Sequence, residues 1–530
     1  MTTEILLGDE AVALGAIHAG LTAGYSYPGT PASEIMEYLI QASEEGKKFK
    51  ASWCVNEKVA YEEALGVSFA GKRALVSMKH VGLNVAADPF LNSALTGSNG
   101  GLVVVVADDP SMHSSQNEQD SRYYAQFAQI FCFEPSDHQE AYDMTRLAFD
   151  LSETTGLPVM IRMVTRLSHS RSSVQPREAR SQNKLGCGAW QDWTLLPVNA
   201  RRRFRILLEK QAQLLRLSEE SPFNSLQLNK MDRSLGIIAS GIASNYVLEN
   251  FKDGSEIPSL LKISTYPVPE ALIAKLVQHV DTILVVEEGY PFIEKNLKGI
   301  FGIAEKTIKG KLTGHLPLAG ELSPEVVRRA LALKPLEAIE QGDFRIASRP
   351  PQLCPGCPHA DTFHGLNRAL ESFPGASVFS DIGCYTLGAF PPYNAIQTCV
   401  CMGASIGMAK GGAEAGIHPA VAVIGDSTFA HSGLTPLLDA SASNTNVTVI
   451  ILDNATVAMT GGQPSFATGD ALLRMIEGVG VSKDHIRIII PLPKNLEKNA
   501  QIIKKEIEYK GLSVIIAGRE CIQEARKRRS

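Results

Sequence analysis

Long apolar runs are missing from this 530-residue chain. Stretches such as Leu102–Ala107 are too short to span a bilayer and suit buried parallel strands. The opening Met-Thr-Thr-Glu has no charged segment followed by an apolar one, so no secretory signal is expected. A large charge excess is also missing. With 51 basic and 56 acidic residues, the net charge of −5 suggests neither a nucleic acid nor an anionic membrane as partner. The one basic run, Arg526–Arg529, reads as a solvated tail. There is no evident tandem repeat and no long low-complexity segment. What these absences leave is a globular, cytoplasmic protein of about three or four domains.

What is present in quantity is cysteine. There are nine, and Cys354, Cys357, Cys384, Cys399 and Cys401 fall in one short stretch. Disulfides are rare in a reducing cytosol, so such grouping points to metal or redox chemistry.

Residues 1–170 alternate strand-like runs (Ala74–Met78, Leu102–Ala107, Pro158–Val164) with helical spacing, as over Gly8–Gly20. This pattern predicts a doubly wound parallel sheet. Residues 171–234, rich in Arg, Gln and Ser, read as a linker and partly helical connection. Strand patterns restart at Leu235–Ala239, Leu261–Ser264 and Thr282–Glu287, predicting a smaller α/β unit over 235–345. A third unit, 346–530, has strands at Val421–Ile424, Val447–Leu452 and Ser513–Ala517, with a last helix over Glu497–Lys510. The fold class is therefore multi-domain α/β.

Two of the late strands end in polar residues. Val421–Ile424 runs into Gly425-Asp426-Ser427, and Val447–Leu452 into Asp453-Asn454. One strand–helix–strand crossover separates them, so both ends lie on the carboxyl edge of a parallel sheet, where ligands bind. Asp426 and Asn454 supply hard oxygens suited to Mg²⁺ beside a diphosphate, and Gly425 lets the backbone approach it. Two ordinary βα turns would carry the same dipeptides. Cys354-Pro-Gly-Cys357 can clamp zinc, work as a redox pair, or hold two corners of an iron–sulfur cube.

Several strings resemble one family. These are Cys354-Pro-Gly-Cys-Pro-His359, Asp381-Ile-Gly-Cys-Tyr-Thr-Leu-Gly388, Cys401-Met-Gly-Ala-Ser-Ile-Gly407, Gly425-Asp-Ser-Thr-Phe-Ala-His-Ser-Gly433 and Met459-Thr-Gly-Gly-Gln463. Tyr27-Pro-Gly-Thr-Pro31, Met78-Lys-His-Val-Gly-Leu-Asn84 and Asp108–Asn117 belong with them. Together they are similar to the 2-oxoacid:ferredoxin oxidoreductases, nearest to the alpha subunit of indolepyruvate ferredoxin oxidoreductase. The likeness covers nearly the whole chain and is weakest over 170–234.

The resemblance implies two doubly wound domains that bind thiamine diphosphate (TPP), plus a transketolase-C-like domain. Gly425, Asp426, Ser427 and Asn454 would meet the cofactor, with Mg²⁺ on Asp426, Asn454 and the Thr456 carbonyl. Ser427 and Asp453 depart from the Gly-Asp-Gly and Asn-Asn of the TPP motif. A [4Fe-4S] cluster would sit on Cys354, Cys357, Cys384 and Cys521, leaving Cys399 and Cys401 as buried structural thiols. The reaction implied joins a 2-oxo acid, an arylpyruvate such as indolepyruvate in this family, with CoA and oxidised ferredoxin, giving acyl-CoA, CO₂ and reduced ferredoxin. The family's usual ferredoxin-like tail, with two further four-cysteine runs, is not seen after Cys521. The implied partners are a smaller beta subunit and a ferredoxin or ferredoxin-like subunit, in a hetero-oligomer with dimeric catalytic subunits. The alternatives are a non-oxidative TPP decarboxylase and a non-catalytic partner-binding subunit.

TPP acts through its imino tautomer, which needs a carboxyl group against a pyrimidine nitrogen in a dry place. If Val55–Leu65 is helical, Glu57 shares a face with Ala60, Tyr61 and Ala64, while Glu62 and Glu63 flank Lys58 and stay wet. A helix-start glutamate favoured by the dipole is the plainer reading. The resemblance places the catalytic glutamate at Glu57, Thr30 beside the substrate carboxylate, and His431 at the cofactor's reactive end. His80 and His113 join them as pocket residues.

Overall fold

The computed structural model describes residues 3–251, 256–299, 302–303, 305–336 and 351–528. The expected boundary at 345, the start of the third unit at 346 and the end of the basic tail at Arg529 lie outside the described residues. The chain forms two compact units, Met1–Glu340 and Gln341–Ser530.

The first unit holds a seven-stranded sheet with Leu102–Asp108 at its centre. On one side follow Ala74–Lys79, Ala23–Ser26 and the edge strand Lys50–Trp53, all parallel. On the other stand Val159–Val164 and Cys132–Phe133, also parallel, and then Thr265–Tyr266, antiparallel. The Val-rich central strand is buried at every position, as expected of a strand covered on both faces. Leu235–Ser240, Ser259–Ile263, Thr282–Val286 and Thr307–Lys309 build a second, parallel sheet, edged by antiparallel Ser225–Gln227.

Residues 171–234, expected as a linker and partly helical connection, contain more regular structure than that. Arg171–Val174 pairs with Glu4–Leu7, and Ser225–Gln227 joins the second sheet. Between them runs a 23-residue helix, Pro197–Glu219, which buries Leu207 and Leu214.

Within this unit the two sheets share a buried ionic network. Arg162 Nε bonds Asp108 Oδ2 at 2.7 Å, and Arg122 Nε bonds Asp120 Oδ1 at 2.9 Å. Arg122 also reaches the Glu288 carbonyl at 2.9 Å and pairs with Glu287 at 3.0 Å. Buried charge survives only when paired, so the network fixes one docking of the two sheets.

The second unit is a five-stranded, all-parallel sheet, ordered Ser377–Ser380, Ala420–Gly425, Thr448–Asp453, Ser513–Gly518, Ile486–Ile489. Helices Pro358–Leu370 and Leu496–Glu508 pack on each other, and Ala404–Glu414 covers Ala420–Gly425. Leu496–Glu508 is not the last helix, because Ile522–Lys527 follows the final strand. Its N-cap is Cys521.

Candidate functional site

In the first unit, the helix Glu57–Phe69 begins at an Asn56 N-cap whose side chain accepts from Val59 N at 2.9 Å. Its buried face is Glu57, Ala60, Tyr61, Ala64 and Ser68, while Glu62 and Glu63 are exposed. Glu57 is buried in the first turn, where backbone N–H groups favour an acid. It fits there because residue 82 is glycine: a Cβ at Gly82 would lie 2.6 Å from Glu57 Oε1.

Lys79, one strand end away, is lowered to about 8 by burial, against the opposing pull of Asp109 and Glu57. Its Nζ donates to the Ser114 carbonyl at 2.9 Å, and Ser114 Oγ donates to the Thr30 carbonyl at 3.0 Å. Thr30 is thereby tied to the Asp109–Ser114 loop. His80 is buried, its Nε2 lying 3.1 Å from the Asn117 carbonyl oxygen, and its Nδ1 has no partner. His113 is half exposed and lies 3.6 Å from Glu321.

In the second unit, Asp426 begins a short helical turn after Ala420–Gly425 and is buried. Burial, then the neighbouring Asp453, pushes its carboxyl up to about 7. Asp426 Oδ2, Ser427 Oγ and Ser465 Oγ are all buried, with the Ser465 hydroxyl beside the Asp426 carboxyl and opposing its rise. Asp453 is spent on the chain itself, accepting from Thr468 Oγ1 at 2.6 Å and Gly469 N at 2.8 Å. That leaves Asn454. Ala455, at φ +60°, turns the chain so that Thr456 comes back onto it.

The Asn454 amide has one end 3.3 Å from His359 Nε2 and the other 2.9 Å from the Thr456 carbonyl oxygen and 3.2 Å from Asp426 Oδ1. With its nitrogen at the second end it donates to both. Asp426, Asn454 and the Thr456 carbonyl are thus neighbours at the strand ends, and their hard oxygens are of the kind Mg²⁺ takes. His431 is buried in the segment Phe429–Gly433, its Nδ1 2.6 Å from Ser432 Oγ.

Cys354, Cys357, Cys384 and Cys521 line one cavity of about 180 Å³, with His359 and Asn454 in the same wall. Cys521 is drawn there by backbone pairing, its N–H donating to the Asn454 carbonyl at 3.1 Å. Burial, then the three other thiols, pushes Cys384 up to about 12. Among the described residues no three His, Cys, Asp or Glu side chains converge as ligands of a single ion. The four thiols line the same cavity without converging on one point.

Cys399 and Cys401, expected to be buried, are exposed. They lie in the irregular segment before the helix Ala404–Glu414, which gives them no core to enter.

Three further residues contribute whose roles no local pattern marks. Tyr385 packs against Gly425, where a Cβ would meet its ring at 2.7 Å, and its hydroxyl donates to Asp381. Asp381, raised to about 6 by burial, also accepts from Ser405 Oγ at 2.6 Å. Ser465 follows closely on the family string Met459–Gln463.

Two doubly wound parallel-sheet regions, one with a buried glutamate and one with an Asp–Asn strand-end pair, define a multi-domain α/β enzyme of the TPP class. Residues 14–186 match the family model "Pyruvate flavodoxin/ferredoxin oxidoreductase, thiamine diP-bdg", and residues 381–516 the C-terminal TPP-binding domain of thiamine pyrophosphate enzymes. The indolepyruvate oxidoreductase subunit IorA of Archaeoglobus fulgidus is 40% identical over 97% of this chain and 86% of its own length. That of Methanothermobacter thermautotrophicus is 38% identical over 98% and 86%. The solved 2-oxoglutarate:ferredoxin oxidoreductase from Magnetococcus marinus shares the fold at a TM-score of 0.53 and 16% identity, over 62% of this chain and 65% of that one. The chain belongs to the 2-oxoacid:ferredoxin oxidoreductase family, as a catalytic subunit of the indolepyruvate oxidoreductase alpha (IorA) type. It is a TPP-dependent enzyme of oxidative 2-oxo acid decarboxylation. None of its described helices is long and apolar enough to cross a membrane.

Proposed function

We propose that this chain decarboxylates an arylpyruvate, indolepyruvate above all, to the acyl-CoA, and passes the electrons through a [4Fe-4S] cluster to ferredoxin. The observation that carries this reading is the single cavity lined by Cys354, Cys357, Cys384 and Cys521, with Asn454 in its wall. A non-oxidative decarboxylase has no use for four thiols placed there. The substrate class follows the names of the IorA relatives, and CoA follows the ligands of the Magnetococcus structure.

When bound, TPP supplies the carbon nucleophile that adds to the keto group, and the cluster supplies a one-electron acceptor. The chain's own residues supply the rest. Glu57 holds a proton at the pyrimidine nitrogen in a water-poor place. Asp426, Asn454 and the Thr456 carbonyl would hold Mg²⁺, while Gly425 and the buried hydroxyls of Ser427 and Ser465 suit diphosphate oxygens. Thr30 sits beside the substrate carboxylate, and His431 at the reactive end. The domains are a pyrimidine-binding one over 1–170, a transketolase-C-like one over 235–345 and a diphosphate-binding one over 346–530. The partners are a smaller beta subunit and a ferredoxin or ferredoxin-like subunit, around dimeric catalytic subunits.

The test is anaerobic purification followed by addition of TPP, Mg²⁺, CoA and a panel of 2-oxo acids. The reading expects a broad visible absorption that bleaches on turnover, with the highest kcat/KM for indolepyruvate. Aldehyde release without bleaching would establish the non-oxidative decarboxylase instead. No turnover of any 2-oxo acid in the complete complex would favour a non-catalytic subunit.

A further inference from the structure

We propose that Lys79 is the cation that receives the carboxylate of the 2-oxo acid. This rests on the decarboxylase reading above and deepens it. Lys79 ends the strand Ala74–Lys79, on the carboxyl edge of the first unit's large sheet, where ligands bind in folds of this kind. Its stem lies along Gly29, where a Cβ would stand 3.1 Å from its Cδ and 3.2 Å from its Cγ. At the end of that stem, Nζ donates to the Ser114 carbonyl at 2.9 Å, and Ser114 Oγ donates to the Thr30 carbonyl at 3.0 Å. The ammonium and the Thr30 segment therefore meet on one loop, and Glu57 is close enough to act on the lysine's charge.

What the ammonium lacks is a close counter-charge. It carries three N–H donors, and among the described residues its hydrogen bond goes to a neutral carbonyl. The acid that acts on it most, Asp109, is taken up by uncharged donors: Ser114 N at 2.8 Å, Ser115 Oγ at 2.7 Å and Thr165 Oγ1 at 2.7 Å. Glu57 is buried against Gly82. Lys79 is only half-buried and Ser114 is exposed, so the ammonium is open to a small anion on that side. A cation drawn partly out of water without a close partner is costly, and an arriving carboxylate removes that cost with charge-assisted hydrogen bonds. Burial holds Lys79 at about 8, and the same carboxylate would favour its charged form. The carboxylate leaves as uncharged CO₂, so this pairing belongs to the bound substrate. Its loss should appear in KM rather than in kcat.

The experiment takes the complete complex, purified anaerobically, carrying wild-type chain, Lys79→Met or Lys79→Arg. Steady-state kinetics gives kcat and the KM values for indolepyruvate and CoA, and calorimetry gives TPP affinity. Lys79→Met keeps the length of the stem and removes the charge. It should raise the KM for indolepyruvate by about 10- to 100-fold, with kcat, the KM for CoA and TPP affinity within a few-fold of wild type. Lys79→Arg keeps a cation and should recover most of the lost KM. An unchanged indolepyruvate KM in Lys79→Met overturns the proposal. So does a fall in kcat alone, which would place the lysine in the proton chemistry of Glu57, or a rise in the CoA KM alone. Lost TPP binding, or a Lys79→Arg no better than Lys79→Met, overturns it as well. A wild-type complex that turns over no 2-oxo acid would instead refute the decarboxylase reading, and this proposal with it.

Discussion

Gly82 and Glu57 are packed so closely that a side chain at position 82 would displace the glutamate. A Cβ there would stand 2.6 Å from Glu57 Oε1 and 2.7 Å from its Cγ. The glycine belongs to the short helix His80–Val85, and the glutamate to the helix beginning at 57. Gly82→Ala should push the carboxylate away from its place, and Glu57→Gln should leave the place but remove the acid. Both are expected to lower kcat by about 10²- to 10⁴-fold, with the TPP dissociation constant within a few-fold of wild type. Steady-state kinetics with calorimetric TPP binding checks this. Wild-type kcat in either variant would remove Glu57 from the proton chemistry.

Asp426 is the one carboxylate among Asp426, Asn454 and the Thr456 carbonyl, and it is buried. Asp426→Ala should weaken Mg²⁺-dependent TPP binding by at least about 100-fold. Fold stability should change little or rise, because a buried acid pushed up to about 7 is removed. Calorimetric titration settles it, and unchanged affinity would refute the metal assignment.

Cys521 shares a cavity with Cys354, Cys357 and Cys384, whereas Cys399 and Cys401 are exposed. Cys521→Ser is expected to lower the iron content of the anaerobically purified chain and to abolish electron transfer. Cys399→Ser and Cys401→Ser should leave iron as it was. Iron analysis of the three variants decides, and full iron in Cys521→Ser would take that residue out of the ligand set.

Glu288 stands beside the buried ionic network of the first unit, and burial raises it to about 7 despite Lys311 nearby. An acid raised on folding contributes stability that is full below the ordinary glutamate value and lost as pH rises through about 7. Glu288→Gln can still accept from Leu322 N, which Glu288 Oε1 does at 3.0 Å. The variant should therefore match wild type near pH 5 and melt several degrees higher at pH 8. Thermal unfolding at the two values checks this, and parallel pH profiles would contradict it.

Much of the site was legible along the chain because its pieces are local. The strand ends at Asp426 and Asn454 follow from apolar runs closed by polar residues. The buried face of the Glu57 helix follows from helical spacing alone. The pieces that escaped are those whose partners lie far away in sequence. Position 82 looks like any glycine until Glu57 is packed against it. Ser465 looks like a loop serine until its buried hydroxyl stands beside Asp426. Residues 171–234 have no alternating pattern, yet Arg171–Val174 becomes a strand because Glu4–Leu7 offers it an edge.

By itself the sequence determined the α/β class, the family and the residue types able to hold a diphosphate, a cation and a cluster. These depend on short-range periodicity and on strings whose chemistry is contained in a few neighbouring residues. Only the tertiary structure decided which cysteines face one another. Cys521 reaches the cavity because the segment after the strand Ser513–Gly518 pairs with Asp453 and Asn454, and the exposed Cys399 and Cys401 do not share it. That choice rests on sheet order, Thr448–Asp453 lying beside Ser513–Gly518, which the packing of distant strands sets and no local pattern encodes.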